Sequence, residues 1–125
     1  MRKTMIAVLL VMFCLFSIMT LAFERSGRLS ALNEFDVEKN RSILMRTNRC
    51  SGCYLAYAKL SGMDLSYADL SNANLTGATF IRATLYGANL AGAKYGGANF
   101  TGAQWIDGSI CQTGSIGSCI RPLPQ

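Results

Sequence analysis

The sequence contains no histidine, only two prolines and one tryptophan, and just 15% of its 125 residues are charged. Without imidazole there is no Ser-His-Asp or Cys-His catalytic arrangement, and no zinc site that depends on a histidine ligand. The low charge, set against a hydrophobic share of 50%, excludes an acidic disordered tail or a long polar linker. At this length one small domain is the ceiling. What the chain does have is twelve glycines and five cysteines.

Arg2 and Lys3 precede an apolar run from Met5 to Phe23 that is interrupted only by Ser17 and Thr20. A basic start, an apolar run and then Glu24, Arg25 and Arg28 read as an export signal, residues 1–22, with Thr20-Leu21-Ala22 placing small residues before a cut after Ala22. The run exceeds the usual signal core of about 7–15 residues and reaches the roughly 17–25 that span a bilayer. An uncleaved membrane anchor over residues 5–23 is therefore the alternative. Both readings deliver the rest of the chain across a membrane, as a periplasmic or secreted protein. Cys14 follows the bulky Phe13, which does not suit a lipoprotein cleavage site, so it reads as a small hydrophobe.

Removing residues 1–22 lowers the net charge from +5 to +3, and most of that excess lies before residue 50. Between Cys53 and Gln112, Lys59, Arg82 and Lys94 balance Asp64, Asp69 and Asp107. The high pI is thus no footprint of nucleic-acid binding.

From Leu55 onward a large apolar residue recurs every fifth position: Leu55, Leu60, Leu65, Leu70, Leu75, Phe80, Leu85, Leu90, Tyr95, Phe100, Trp105, Ile110. Two residues before each stands a small one, alanine in nine of the twelve cases with Met63 the one oversize exception, and the intervening position is mostly Asp, Asn, Lys or Thr. A period of five fits neither the 3.6 of a helix nor the 2.0 of a strand. An α-helix would spread these leucines around all its faces, where no single core could bury them.

The stretch Ala68-Asp69-Leu70-Ser71-Asn72-Ala73-Asn74-Leu75-Thr76-Gly77 resembles the pentapeptide-repeat family, whose unit is A-(D/N)-L-x-x, and the likeness extends over residues 53–112. It implies an all-β fold, a right-handed quadrilateral β-helix with four pentapeptides per coil, here about three coils between a short N-terminal helical cap and a C-terminal cap. Columns then follow: Leu55, Leu75 and Tyr95 on side one; Leu60, Phe80 and Phe100 on side two; Leu65, Leu85 and Trp105 on side three; Leu70, Leu90 and Ile110 on side four. Successive coils should stack at strand spacing, roughly 4.8 Å. Gly62, Gly77, Gly87, Gly92, Gly97 and Gly102 fall two places after the large residue, where a tight corner favours a residue without Cβ.

A solenoid exposes apolar rungs at its ends and needs terminal caps. Residues 23–49 supply a linker and a helical cap, with Asn33 or Asp36 as the N-cap and Val37, Leu44 and Met45 as its apolar stripe. Residues 50–112 form the β-helix and 113–125 the C-terminal cap and tail. Outside the signal four cysteines allow three pairings. About two coil spacings, roughly 10 Å, separate Cys53 from Cys111, against the about 4.4–6.8 Å that a disulfide spans between Cα atoms. Local pairing, Cys50 with Cys53 and Cys111 with Cys119, is favoured unless the tail folds back. An exported protein keeps such bonds oxidised.

Function should lie on outward positions, where Tyr57, Tyr67, Ile81, Tyr86 and Ile106 are unusually large. Tyr67, Tyr86 and Ile106 share side three and Ile81 precedes it, which makes these four the candidate interaction face. The expected partner is a protein or envelope component, not nucleic acid. A membrane is involved only if the N-terminal segment stays uncleaved, and a coil end offers a surface for a homodimer. Mimicry of DNA toward topoisomerases, an activity the family resemblance brings to mind, needs a long acidic rod that this short neutral solenoid is not. No paired carboxylates, phosphate loop or activated nucleophile support an enzyme, and no cofactor or metal is implied. The alternative is a thiol-disulfide or redox-responsive protein working through Cys50 and Cys53.

Overall fold

The structure, a computed structural model, describes residues 11–19, 34 and 36–123 of the chain. It divides into two units, Met1–Phe35 and Asp36–Gln125. In the first, α1 (residues 11–19) is helical, with Phe13, Leu15, Phe16, Ile18 and Met19 all exposed on it. The cleavage site proposed after Ala22 and the linker at 23–32 lie outside the described residues. Among the described residues no helix is long and apolar enough to cross a membrane.

The second unit begins with α2 (residues 36–47). Asp36 is already helical and so is not the N-cap, while Asn33 lies outside the described residues. Leu44 is fully buried and Val37 packs on the core, and at the border of this face the half-buried Arg41 pairs with Glu38 at 2.9 Å. Met45, assigned by sequence to the apolar stripe, is instead exposed, since a stripe narrowed to Val37 and Leu44 leaves it on the flank. The helix ends where Asn48 adopts a left-handed φ of 54° and donates its amide to the Leu44 carbonyl, a left-handed C-cap. That turn delivers the chain into the first rung.

From there the backbone makes parallel bridges between residues twenty apart. Arg49–Asp69–Asn89, Tyr54–Asn74–Lys94, Lys59–Thr79–Asn99 and Asp64–Thr84–Gln104 are the four bridged columns. The register therefore starts one repeat earlier than the leucine count suggests, at Arg49, because Cys50 takes the inward place that leucine holds elsewhere. Leu55, Leu60, Leu65, Leu70, Leu75, Phe80, Leu85 and Phe100 are fully buried, as are the alanines at 58, 68, 73, 78, 83, 98 and 103. At about 1.5–3 kcal/mol for each fully buried large side chain, this ladder is the main folding drive. Phe80 and Phe100 stack with ring centroids 5.0 Å apart.

Each corner is a four-residue turn closed by a hydrogen bond such as Ala58 N–H to the Leu55 carbonyl, 3.1 Å. Its third residue has positive φ throughout, from Gly52 to Gly102. Glycine is not obligatory there: Tyr57, Tyr67, Asn72 and Arg82 adopt φ of 56–60° at a cost of roughly 1–2 kcal/mol each. Within a column such a residue has glycine twenty places on, because its side chain lies over the next corner. A Cβ at Gly77 would come within 2.5 Å of the Tyr57 ring, and one at Gly87 within 2.5 Å of the Tyr67 ring. The repeat also locks its corners through the Asp or Asn before the large residue. Asp64, Asp69, Asn74, Asn89 and Asn99 each accept, through Oδ1, the amide of the residue two places on.

The column on side four does not end in Ile110, which is 53% exposed, whereas Cys111 is 1% exposed and lies in the core. The reason is a chain reversal. Gly108, at φ 88°, turns the backbone so that Ile110 bridges Gln104 antiparallel, and Cys111 rather than Ile110 faces inward. The tail then continues across Ala98 to Gly102, with an antiparallel bridge between Asn99 and Ile116.

Candidate interaction surface

On side three, Tyr67 occupies a left-handed corner, and its ring meets that of Tyr86 edge to face with centroids 5.6 Å apart. The Tyr67 amide donates to the Tyr86 carbonyl at 2.8 Å, which fixes the two levels against each other. Gly87 makes room for the Tyr67 ring and donates its own amide to the Ile106 carbonyl at 2.9 Å, placing Ile106 directly beyond Tyr86. Tyr67 is 70% exposed and Tyr86 44%. An edge-to-face pair of this kind contributes about 0.5–1.5 kcal/mol beyond its area. It also holds two large rings in a fixed outward pose, so that a partner meets them with little side-chain entropy left to lose.

Ile81, the fourth candidate, stands one corner earlier than Tyr86. There an open cleft of about 620 Å³ is lined by Ile81, Arg82, Thr101, Gly102, Cys111, Gln112 and Thr113. Tyr57 is as exposed as Tyr67 yet stands on a different corner, above Gly77. The cleft escaped the sequence reading because one wall is the reversed tail, and no periodicity signals a reversal.

The carboxylates near the tyrosines are committed to the scaffold. Hydrogen bonds from the hydroxyl and amide of Ser66 hold the Asp64 carboxyl below its ordinary range. Ser109 does the same for Asp107, which is also paired with Arg121 at 2.9 Å. Asp69 is lowered chiefly by Ser71. Each acts as an acceptor that closes its own corner.

The cysteines form two local bonds, Cys50–Cys53 and Cys111–Cys119, with Cα separations of 5.3 and 5.0 Å. Cys50 is buried beneath α2, its sulfur 3.4 Å from the Asn40 carbonyl, and Cys111 is buried under the tail. Each bond therefore sits where a capping segment joins the ladder.

A bridged ladder with a twenty-residue turn, inward leucine and alanine, and left-handed corners every five residues defines a β-solenoid. Its repeats match the family model for pentapeptide repeats in eight copies, over residues 49–85 and 83–104, and the repeat segment belongs to the pentapeptide-repeat family. Membership implies the right-handed quadrilateral β-helix, and its members are typically non-catalytic structural or interaction modules. Among solved structures the chain is similar to HetL, a pentapeptide repeat protein involved in heterocyst differentiation regulation from the cyanobacterium Nostoc sp. strain PCC 7120. The identity is 37% over 50% of this chain, with a TM-score of 0.40. This chain spans about a third of the length of HetL, 32%. No curated protein matches it.

Proposed function

We propose that the protein is an exported, non-catalytic interaction module: a solenoid of about three coils, closed by a disulfide at each cap, that presents side three to a protein or envelope component. The observation that carries the reading is the Tyr67–Tyr86 pair, exposed yet fixed by a left-handed corner, with Ile106 continuing it. Surface apolar residues are ordinary singly, but a rigid aromatic pair extended by an aliphatic side chain fits a contact surface. Ile81 extends the patch only across the corner, toward the cleft.

Export is supported by the apolar character of α1 on every side and by the two disulfides, which persist in oxidising compartments. The mass of the N-terminus of the purified protein distinguishes a cleaved signal from an anchor over residues 5–23.

Capture from an envelope extract tests the surface. Wild type and Tyr57→Ser should retain the same bound protein, and Tyr67→Ser/Tyr86→Ser should lose it. Equal capture by all three would retire side three as the contact face.

A further inference from the structure

The three cations and three carboxylates of the solenoid cancel in the sum but not in space. Lys94 and Lys59 lie in the bridged columns of sides one and two, with Arg82 at the corner that follows. Asp64 and Asp69 lie in the columns of sides three and four, with Asp107 at the corner between them. No Asp or Glu occurs in residues 53–62, 73–82 and 93–102, which build sides one and two, or in residues 108–125. In the tail Arg121 is paired with Asp107. The Arg82 guanidinium has neither a carboxylate nor a hydrogen-bond partner among the described residues.

Arg82 is also an unusual occupant of its corner. One level earlier the same place holds Gly62 and one level later Gly102, and Arg82 shares their left-handed conformation at φ 57°. A Cβ at Gly102 would stand 3.4 Å from Arg82 Cγ, so the arginine stem runs over the next corner toward the tail. There it lines the cleft of about 620 Å³ together with Ile81, Thr101, Gln112 and Thr113. The backbone amides of Ile81 and Thr113, the hydroxyls of Thr101 and Thr113 and the Gln112 carboxamide make no hydrogen bond among the described residues. At Ile81 the cause is Thr79, which stands where Asp64, Asp69, Asn74, Asn89 and Asn99 cap the equivalent amide of other corners. The cleft is thus rich in donors, carries one positive charge and has no acid beside it.

We propose that this cleft binds the free carboxylate end of an extended peptide whose last side chain is aliphatic. A guanidinium presents parallel N–H donors in a fork that matches both oxygens of a carboxylate. A single cation among neutral donors suits a single negative charge. Ile81, 38% exposed, gives an aliphatic side chain an apolar wall. Thr113 has both its amide and its carbonyl unpaired, a donor and an acceptor that peptide backbone satisfies and a simple fatty or sugar acid does not. The volume lies within the roughly 300–1,000 Å³ of small-ligand sites, enough for a few residues of chain. The left-handed strain that glycine would spare at this corner places the guanidinium at the cleft. The site lies one corner away from the tyrosine pair of side three and does not depend on it.

The test titrates the full chain, in a mild detergent, with an N-acetylated tetrapeptide ending in leucine, read by calorimetry and by amide NMR. The free acid should bind at one site and shift the amide resonances of Ile81, Thr101 and Thr113. The same peptide with an amidated C-terminus should bind at least about tenfold more weakly, as expected when hydrogen bonds to a charged group are lost. Arg82→Gly installs the residue that this corner carries at its other levels, so the fold is kept, and it should lower affinity for the acid by at least about tenfold. Arg82→Lys, which keeps the charge but not the fork, should fall between the two. Tyr67→Ser/Tyr86→Ser should bind the peptide as wild type does, so this site and the side-three contact face are read out separately. Equal affinity for acid and amide overturns the proposal, as does unchanged binding by Arg82→Gly, loss of binding in the tyrosine variant, or no binding at all by the acid. N-acetyl-leucine binding as tightly as the tetrapeptide would overturn the assignment to a peptide.

Discussion

At the N-terminal end, α2 lies over the first coil: Leu44 is buried and Leu55, Leu60 and Leu65 beneath it are inaccessible to solvent, while Cys53 and Met63 stay partly buried. At the C-terminal end the tail covers two sides, leaving Phe100 buried but Leu90, Tyr95 and Trp105 partly exposed. A helix can cap a square rung broadly because it needs no ladder bonds and offers a wide apolar face. A single strand satisfies only the backbone it runs along. The solenoid thus has one end that is closed by packing and one that is closed by hydrogen bonds along half its rim. The difference predicts where the molecule is firm and where it is available.

The sharpest way to break this comparison is to cut the same column at two levels. Leu70 and Leu90 both stand on side four, twenty residues apart, one fully buried and the other partly so. Leu70→Ala should cost about 2–5 kcal/mol in denaturant unfolding, the range for an enclosed leucine. Leu90→Ala should cost less than half as much, since part of that side chain is already in water. Equal losses would mean that the C-terminal rim is as closed as the interior.

Next in size is the tail's staple. Cys111→Ser/Cys119→Ser opens a loop with a sequence separation of 8, a loss of about 2–3 kcal/mol by loop-closure entropy. Its specific sign is local: Phe100 and Gly102, whose amides donate to Ser115 and Cys111, should lose exchange protection before Leu55 or Leu60 do. Cys50→Ser/Cys53→Ser, with a separation of 3, closes a smaller loop and should leave Phe100 and Gly102 protected. If either double variant exposed both ends together, the caps would not be independent.

Most of the ladder was legible before any coordinates, because burial of a large and a small residue five apart is a property of side chains. The buried leucines from Leu55 to Leu85 follow from the count alone. Where the count failed, the cause was backbone. Ile110 keeps the five-residue spacing yet points outward, since Gly108 reverses the chain and a spacing carries no direction. The open half-rim has no side-chain signature at all, as it consists of amides and carbonyls that the described tail, running along two sides, does not pair. On side three, Tyr67 and Tyr86 stood out as large residues in outward places, whereas the cleft beside Ile81 needed the tail's path to be known. The left-handed φ of Tyr57, Tyr67, Asn72 and Arg82 was hidden because glycine elsewhere in the same column made the rule look like a glycine rule.

That last point yields a smaller effect inside one corner column. Gly77 and Gly97 share a left-handed φ of 67–69°, but only at Gly77 would a Cβ meet a ring, that of Tyr57, at 2.5 Å; at Gly97 nothing lies within 4 Å. Gly97→Ala should cost the left-handed strain alone, about 1–2 kcal/mol. Gly77→Ala should cost that plus about 0.5–1.5 kcal/mol for pushing the Tyr57 ring off its rotamer. In a Tyr57→Ala background the two should converge, and a persistent gap in their unfolding midpoints would refute the stacking of one level's side chain on the next level's glycine.

The smallest effect distinguishes charged corners from neutral ones by pH. Asp64 and Asp69 lock corners in the first two levels, whereas Asn89 and Asn99 perform the same task in the last. Both aspartates have carboxyls held below the ordinary value of 3.8, first by the serine hydroxyl and then by the serine amide. A carboxyl whose pKa is depressed in the folded state stabilises that state above its unfolded pKa, and the contribution disappears as pH falls through the folded one. The corners at Asp64 and Asp69 should therefore weaken only below about pH 4, and those at Asn89 and Asn99 not at all. Asp69→Asn keeps an Oδ1 acceptor and removes the titration, so its unfolding midpoint should match wild type at acid pH and fall slightly behind at neutral pH, where the charge-assisted bond is lost. A variant that tracked wild type at every pH would show that Asp69 serves only as a shape, and that the charged and neutral corners are equivalent.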